Sequence, residues 1–137
     1  MKTPRELLAA ARQAAGRAHA PYSRFKVGAA VTDERGRVFT GANIENASYG
    51  LTVCAERVAV FTAIAAGARR ITAVGVTSRS LKPVAPCGAC RQVLIEFAAP
   101  STPVYLDAGR GKVIHESVGS LMPTAFGADS LPAAHET

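Results

Sequence analysis

A chain of 137 residues is long enough for one domain and too short for two, so we expect residues 1–137 to form a single domain. Hydrophobic residues make up 48% of the chain and charged residues 19%, a balance that excludes a disordered protein. The net charge is +6, and residues 1–37 hold eight basic and three acidic side chains; no aromatic residues alternate with the basic ones, so we predict no stable nucleic-acid partner.

The sequence carries no signal for a membrane or for secretion. No apolar run approaches the roughly 18 residues that cross a bilayer. The N-terminal stretch lacks an apolar segment followed by a cleavage site. We therefore predict a cytoplasmic protein without a membrane partner.

The chain begins with a helix signature at Thr3, which combines a hydroxyl cap, proline at the first helical position and Glu6 three residues after the cap. Leucines and alanines then recur at helical spacing and form one apolar face. Because the residue before a proline disfavours the helical conformation, Pro21 predicts that this helix ends at about Ala20.

Strands and helices alternate in the rest of the sequence. A hairpin is predicted from Lys26–Thr32 and Arg37–Ile44, joined by a turn at Asp33–Gly36. A helix, a strand, a helix and two strands are then predicted at 53–67, 71–77, 87–97, 103–106 and 113–115. This order favours a layered α/β fold with a mixed sheet.

The three cysteines indicate metal or redox chemistry, because a secreted disulfide scaffold uses an even and larger number. Cys54 lies at the start of one predicted helix, and Cys87 and Cys90 lie three apart at the start of another. Helix N-termini stabilise the thiolate, which is the form that binds zinc. Three protein ligands leave one tetrahedral position open, as in catalytic zinc sites.

Two side chains that follow Cys54 fit such a site. Glu56 falls in the first turn of the predicted helix, where its carboxylate would reach the open position of the metal as a proton shuttle rather than as a ligand. Arg57 would donate hydrogen bonds to the sulfurs and so withdraw negative charge from a zinc ion with three thiolates.

Two other interpretations of the cysteines stay open at this point. Cys87 and Cys90 alone have the spacing of a thioredoxin-type redox pair, which leaves Cys54 and Glu56 without a role. A structural zinc site needs a fourth protein ligand. That ligand would have to be one of the three histidines, His19, His115 or His135.

Cys54-Ala55-Glu56 and Pro86-Cys87-Gly88-Ala89-Cys90 match the zinc deaminase signature of His or Cys, one residue, Glu, and a later Pro-Cys-x-x-Cys. From about Pro21 to Phe126 the chain resembles one branch, the small tetrameric cytidine deaminases of pyrimidine salvage. The stretches that carry this resemblance are Phe25–Ala30, Asn43–Ser48, Thr52–Arg57 and Pro86–Gln92. It implies a three-layer α/β/α fold with a central mixed sheet, one zinc ion per chain, and hydrolytic deamination of free cytidine and deoxycytidine by a zinc-activated hydroxide.

The resemblance also implies the residues that bind the nucleoside. Asn43 and Glu45 would hold the ribose hydroxyls, and their i, i+2 spacing on an extended strand would put both side chains on one side. Phe25 would form part of the pocket wall. The remaining implied substrate-binding positions are Ala55, Tyr49 and Phe126. Of these, Tyr49 and Phe126 would reach a neighbouring subunit's pocket in a homotetramer with shared active sites.

Without the resemblance, Asn43 is an ordinary turn amide, Glu45 a solvated carboxylate and Phe25 a core aromatic residue. Two rival functions also use the same metal residues. One is deamination of another substrate, blasticidin S or a nucleic-acid base, although the ribose-binding pair would cover the hydroxyl through which a polymer continues. The other is a non-catalytic zinc module that binds nucleic acid, which needs neither an open metal position nor Glu56.

Overall fold

The computed structural model describes residues 2–132, in which helices and strands alternate along the chain. In chain order the elements are α1 (Pro4–Ala15), β1 (Gly28–Asp33), β2 (Val38–Ala42), a 3₁₀ turn (Tyr49–Leu51), α2 (Ala55–Ala65), β3 (Ile71–Thr77), α3 (Gly88–Phe97), β4 (Pro103–Asp107), β5 (Val113–Ser117), α4 (Val118–Leu121) and a second 3₁₀ turn (Ala128–Ser130).

The five strands form one mixed sheet in the order β2-β1-β3-β4-β5. Strand β1 is antiparallel to both β2 and β3, and β4 is antiparallel to β5. Strands β3 and β4 are parallel, and α3 supplies the crossover that parallel neighbours require. The mixed sheet confirms the predicted α/β class.

Both faces of the sheet are covered, which makes every residue of β1 buried. Successive side chains of a strand point to opposite faces. Ala30 packs with Leu7 of α1 on one face, whereas Val31 belongs to the core that includes Val60 of α2 and Leu94 of α3 on the other. The protein therefore has the three-layer α/β/α arrangement that the resemblance implied, with α1 alone in one outer layer.

Helix α2 lies unusually close to β2, and Gly41 is the reason. A Cβ atom at Gly41 would lie 2.5 Å from the backbone nitrogen of Ala59 and 2.6 Å from the carbonyl oxygen of Ala55. Real Cβ atoms do not approach backbone atoms so closely, so any other residue would push α2 off the sheet. Because α2 begins directly after Cys54, Gly41 also determines where that cysteine lies.

Helix α1 ends at Ala15, so the predicted end at about Ala20 is wrong. The chain turns after Gly16, and His19 then pairs with the segment that follows β2. The His19 amide donates to the carbonyl oxygen of Asn43 at 3.0 Å, and the Glu45 amide donates to that of His19 at 2.8 Å. This long-range pairing takes the backbone of His19 out of the helix before Pro21 is reached.

The other predicted elements occur with shifted ends, and one helix was not predicted. Strand β1 starts at Gly28 and α2 at Ala55, each two residues later than the pattern indicated. The short helix α4 follows Ser117, whose hydroxyl accepts a hydrogen bond from the Ser120 amide at 3.0 Å. The sequence did not predict this capping box, because the third helical position holds a serine where glutamate is usual.

In residues 2–132 no helix is both long and apolar enough to cross a membrane. The prediction that residues 1–137 form one domain stays a prediction.

Candidate active site

The starts of α2 and α3 bring the three cysteines together. Cys54 is the N-cap of α2, Cys87 is the N-cap of α3, and Cys90 lies in the first turn of α3. Their Sγ atoms lie within 4.8 Å of one another, and none of the three is in a disulfide. We call these three residues the cysteine cluster.

The cysteine cluster has the geometry of a zinc site. The Sγ atom of Cys87 lies 3.7 Å from that of Cys54 and 3.5 Å from that of Cys90. Two thiolates bound tetrahedrally to one zinc ion at about 2.3 Å are about 3.8 Å apart. The three sulfurs are therefore positioned to hold one zinc ion per chain, and three protein ligands leave its fourth position open.

The surroundings of the two cysteines at the start of α3 shift their pKa values in opposite directions. Burial opposes ionisation of Cys87, but hydrogen bonds from the Cys90 amide, the Cys90 and Cys54 thiols and the Ala89 amide together outweigh it and lower the pKa of Cys87. Burial raises the pKa of the Cys90 thiol, and the negative charge of Glu56 raises it further. Three thiolates so close together repel one another, so this donor set needs a cation at its centre.

Glu56 lies in the first turn of α2 and is only 4% exposed. Burial raises the pKa of this carboxyl, because the charged form loses its hydration. Its effect on the pKa of Cys90 places its charge beside the cysteine cluster. A carboxyl group with a raised pKa next to a metal position can both accept and donate protons near neutral pH.

Arg57 contacts the sulfur of Cys54. Its Nη2 atom donates to the Sγ atom at 3.5 Å, and this contact raises the pKa of Arg57 above its ordinary value. Arg57 Nε is buried and has no hydrogen-bond partner among residues 2–132. The guanidinium thus supplies a fixed positive charge to a sulfur that would carry negative charge in the metal complex.

Asn43 joins two segments of the chain through its buried amide. Its Oδ1 atom accepts from the Val27 amide at 2.8 Å, and its Nδ2 atom donates to the carbonyl oxygen of Phe25 at 2.8 Å. An amide side chain can form about four hydrogen bonds, so two remain available.

Glu45 faces the same segment two residues further along. Its carboxylate accepts from the Tyr22 amide at 3.0 Å, from the Ser23 amide at 3.1 Å, and from the Ser23 hydroxyl. The hydrogen bond from the Ser23 side chain is the main reason why the pKa of Glu45 lies below its usual value. Asn43 and Glu45 therefore both bind the segment 22–27 and have a structural role, while their contact with a ribose stays a prediction.

The predicted aromatic residues all lie at the surface. Phe25 is 47% exposed, which excludes a role in the core of this chain. Tyr49 is 74% exposed and meets Tyr22 edge to face, with ring centroids 5.8 Å apart. Phe126 is 60% exposed, and its carbonyl oxygen accepts from Gln92 Nε2 at 2.8 Å.

Ala55 is fully buried at the first position of α2, and its methyl group packs in the core. Only its backbone is left to contact a substrate. The first N–H groups of a helix have no partner within the helix, which makes such a contact possible.

Sequence reasoning missed several residues around the site. Tyr22 and Ser23 line a cavity of about 380 Å³ together with Glu45 and Tyr49. Arg91, which lies in the second metal segment but was given no role, donates to the carbonyl oxygen of Pro86 at 2.6 Å and to that of Leu121 at 2.8 Å. Its place directly after Cys90 was the only signal for that contact.

The structure also bears on the alternatives for the cysteines. Among residues 2–132 the group that could hold a metal ion consists of the cysteine cluster alone, so neither His19 nor His115 is a fourth ligand. His135 lies outside the described residues. The redox-pair interpretation leaves the closeness of Cys54 Sγ to Cys87 Sγ unexplained.

A family model and curated sequence relatives both match this chain over most of its length. The family model described as the cytidine and deoxycytidylate deaminase zinc-binding region matches residues 1–106. The cytidine deaminase of Halalkalibacterium halodurans is 49% identical over 125 residues, which cover 91% of this chain and 95% of that protein.

Solved structures agree with the sequence relatives. The crystal structure of cytidine deaminase from Burkholderia pseudomallei has a TM-score of 0.86 and 50% identity, and covers 91% of this chain and 100% of that one. That of Mycobacterium tuberculosis has a TM-score of 0.79 and 39% identity over 93% of this chain and 99% of that one. The match to the family model, together with this similarity in sequence and fold, shows that the chain belongs to the cytidine and deoxycytidylate deaminase family.

Proposed function

We propose that this chain catalyses the hydrolytic deamination of free cytidine and 2′-deoxycytidine to the uridine forms, with release of ammonia. The observation that carries the proposal is the buried carboxyl group of Glu56 beside a cluster of three thiols at two helix starts. Relatives of 44–49% identity that are named cytidine deaminases support the substrate.

A zinc ion held by the cysteine cluster would supply Lewis acidity, which strongly lowers the pKa of water. The chain's own contribution is to move protons. Glu56 takes one proton from the attacking water and delivers it to N3 of the cytosine ring. It then takes the second proton from the oxygen that is now bonded to C4 and delivers it to the amino group, which leaves as ammonia while the C4 carbonyl forms. Its raised pKa suits this exchange, since the same group has to bind and release a proton at neutral pH.

Asn43 and Glu45 bind the ribose in this proposal. Asn43 keeps hydrogen-bonding capacity beyond its two contacts, and Glu45 lies at a cavity that Tyr49 also lines. The lowered pKa of Glu45 keeps it ionised at neutral pH, so that it accepts hydrogen bonds from sugar hydroxyls. Phe25 and the backbone of Ala55 complete the contacts with the nucleoside.

We further propose that four copies of the chain assemble and share active sites. Tyr49 and Phe126 are too exposed to enclose a substrate within one chain, and Leu51 and Phe61 add to the apolar surface near Tyr49. A second copy of this chain is the occupant that the family resemblance implies. Light scattering should give a mass near four times 14.2 kDa, and a monomer with full activity would contradict shared sites.

Ammonia release from cytidine and deoxycytidine by the zinc-loaded protein tests the function, with Glu56→Gln as the key variant. The variant should keep its zinc and lose activity by a factor of about 10²–10⁴, because the proton transfer is lost while the ligands stay. Glu96→Gln, which changes an exposed glutamate of α3, is the matched control and should behave as the parent.

Two outcomes would contradict the proposal. If Glu56→Gln kept a tenth of the parent's activity, the proton-shuttle role would be wrong. If the parent released ammonia from blasticidin S but from neither nucleoside, the substrate would be wrong while the metal chemistry stood. The salvage role and the cytoplasmic location stay predictions.

A further inference from the structure

A second cavity lies on the opposite side of the sheet from the cysteine cluster. It has a volume of about 810 Å³ and lies between α1, the segment after β3 and the turn between β4 and β5. Its charged lining residues are Arg5, Arg12, Arg79, Asp107, Arg110 and Lys112. We call this cavity the basic cleft; it shares no lining residue with the cysteine cluster.

Five cations and one carboxylate give the basic cleft an excess of four positive charges. Asp107 is 4% exposed and accepts hydrogen bonds from Arg12, from the Thr77 hydroxyl at 2.7 Å and from the Gly109 amide at 2.9 Å. It therefore neutralises Arg12 alone. Within residues 2–132 the other four cations of the cleft have no carboxylate within 4.0 Å.

Two of the guanidinium groups are held in place by the protein. Arg12 is paired with Asp107, and Arg79 donates to the carbonyl oxygen of Arg12 through Nε at 3.1 Å and Nη2 at 2.8 Å. A guanidinium has five N–H donors, so Arg79 keeps donors free for a ligand. Groups that are already ordered lose less conformational entropy when a ligand binds.

Two arginines of the basic cleft have a strained backbone conformation. Arg79 has φ of 62° and Arg110 has φ of 53°, in the left-handed region where glycine and asparagine are favoured. Arg110 stands between two glycines that also have positive φ, at 82° and 77°. Glycine at position 110 would remove strain of about 1 kcal/mol or more. Arginine thus occupies two strained positions that line the same cavity.

We infer that the basic cleft binds a small anion with two or more phosphate groups, such as the triphosphate group of a nucleotide or an inorganic polyphosphate. Arginine matches phosphate oxygens with paired N–H donors. A terminal phosphate group carries about −1.5 to −2 charges, so two or more groups balance the four free cations of the cleft. The volume falls within the range of about 300–1,000 Å³ that is usual for small-ligand sites.

The same lining disfavours a nucleic acid. Sites for single-stranded nucleic acid combine cations with aromatic side chains on which bases stack. Among the residues that the structure describes, none that lines the basic cleft is aromatic. The ligand is therefore recognised through its phosphate groups and not through a base.

Calorimetric titration of the full-length, zinc-loaded protein tests this inference, with inorganic tripolyphosphate as the probe. We expect tripolyphosphate to bind roughly tenfold or more tightly than orthophosphate, because it can contact several guanidinium groups at once. Its affinity should fall as salt concentration rises. Zinc content is measured before and after, so that chelation is not mistaken for binding.

Arg110→Gly is the decisive variant, because it removes a charge from the basic cleft and relieves the strained φ at the same time. It should weaken tripolyphosphate binding by roughly tenfold while its thermal stability equals or exceeds that of the parent. Arg24→Gly is the matched control: Arg24 also has positive φ, at 57°, but does not line the cleft. It should bind tripolyphosphate as the parent does.

Three results would overturn the inference. These are no detectable binding of tripolyphosphate to the parent, equal affinities of the parent and Arg110→Gly, or an equal loss in Arg24→Gly. A short single-stranded RNA that binds more tightly than tripolyphosphate, and competes with it, would replace the small anion with a nucleic acid.

Discussion

The cysteine cluster concentrates negative charge and the basic cleft concentrates positive charge, but the protein stabilises these charges in different ways. At the cysteine cluster exposure ranges from the buried Cys90 to the exposed Cys87, and the N–H groups of α3 and the guanidinium of Arg57 stabilise the sulfur anions. At the basic cleft the cations stand at the surface, where water and salt screen them, and within residues 2–132 only Arg12 of these has a carboxylate partner.

This difference predicts how each region responds when one of its residues is substituted. A site whose members share one ion and a few hydrogen bonds fails as a unit when one member is lost. A surface set of cations loses affinity by steps, one contact at a time. The variants below test that contrast, from the largest expected effect to the smallest.

Cys90→Ala should remove zinc and abolish ammonia release, because Cys90 is a fully buried ligand and no other donor within residues 2–132 can replace it. Zinc content by elemental analysis and activity by ammonia release check this. Lys112→Gln, which removes one charge from the basic cleft, should leave both unchanged. A full zinc complement in Cys90→Ala would show that the metal has other ligands.

Gly41→Ala should destabilise the protein by about 1–3 kcal/mol or more, since its Cβ would lie 2.5 Å from a backbone atom of α2 that cannot move alone. The displaced α2 should also reduce zinc affinity through Cys54. Gly50→Ala is the control, because a Cβ there meets no atom within 4 Å. Thermal unfolding and a zinc competition assay measure the two effects. Equal stability of the two variants would show that α2 adapts without cost.

Asp107→Asn should cost about 1–2 kcal/mol of folding stability, because a buried carboxylate with three donors is replaced by a neutral amide. Ammonia release below the unfolding temperature should stay at the parent's level, since Asp107 lies in the basic cleft. A large loss of activity in the folded variant would mean that the two regions are coupled.

Glu45 should give the smallest effect, visible as a pH dependence of stability. Its pKa is lowered in the folded protein, mainly by the Ser23 hydroxyl. The stabilisation is therefore complete above the pKa of an unfolded glutamate, about 4.3, and is lost as pH falls through the lower folded value. Thermal unfolding against pH should show the parent above Glu45→Gln at neutral pH and the two converging in acid. A constant gap at all pH values would rule out the ionised Glu45 as its cause.

The cysteine cluster could be predicted from the sequence because each of its two parts has a local spacing and the deaminase signature joins them. Cys54 and Glu56 lie two residues apart, Cys87 and Cys90 lie three apart, and helix geometry converts such spacings directly into positions. The alternation of strands and helices likewise predicted a layered α/β fold with a mixed sheet, whereas the helices on both faces were implied by the family resemblance.

Features that depend on distant pairs were missed. The end of α1 is decided by the pairing of His19 with Asn43, and the structural role of Asn43 depends on Phe25 and Val27. The basic cleft combines residues from the first helix and from two later turns, and nothing within any one of those segments marks the others as neighbours. Arg12 and Arg110 were therefore indistinguishable from ordinary surface charges.

The contacts of Arg91 have a consequence for how the protein responds to metal loss. Arg91 ties Pro86, the residue before Cys87, to Leu121 at the end of α4, and its neighbour Gln92 holds the backbone of Phe126. The first turn of α3 is thus a shared anchor for the metal ligands and the C-terminal segment. Chelation should release both, so limited proteolysis after residue 121 can serve as a sensor of zinc occupancy that needs no substrate.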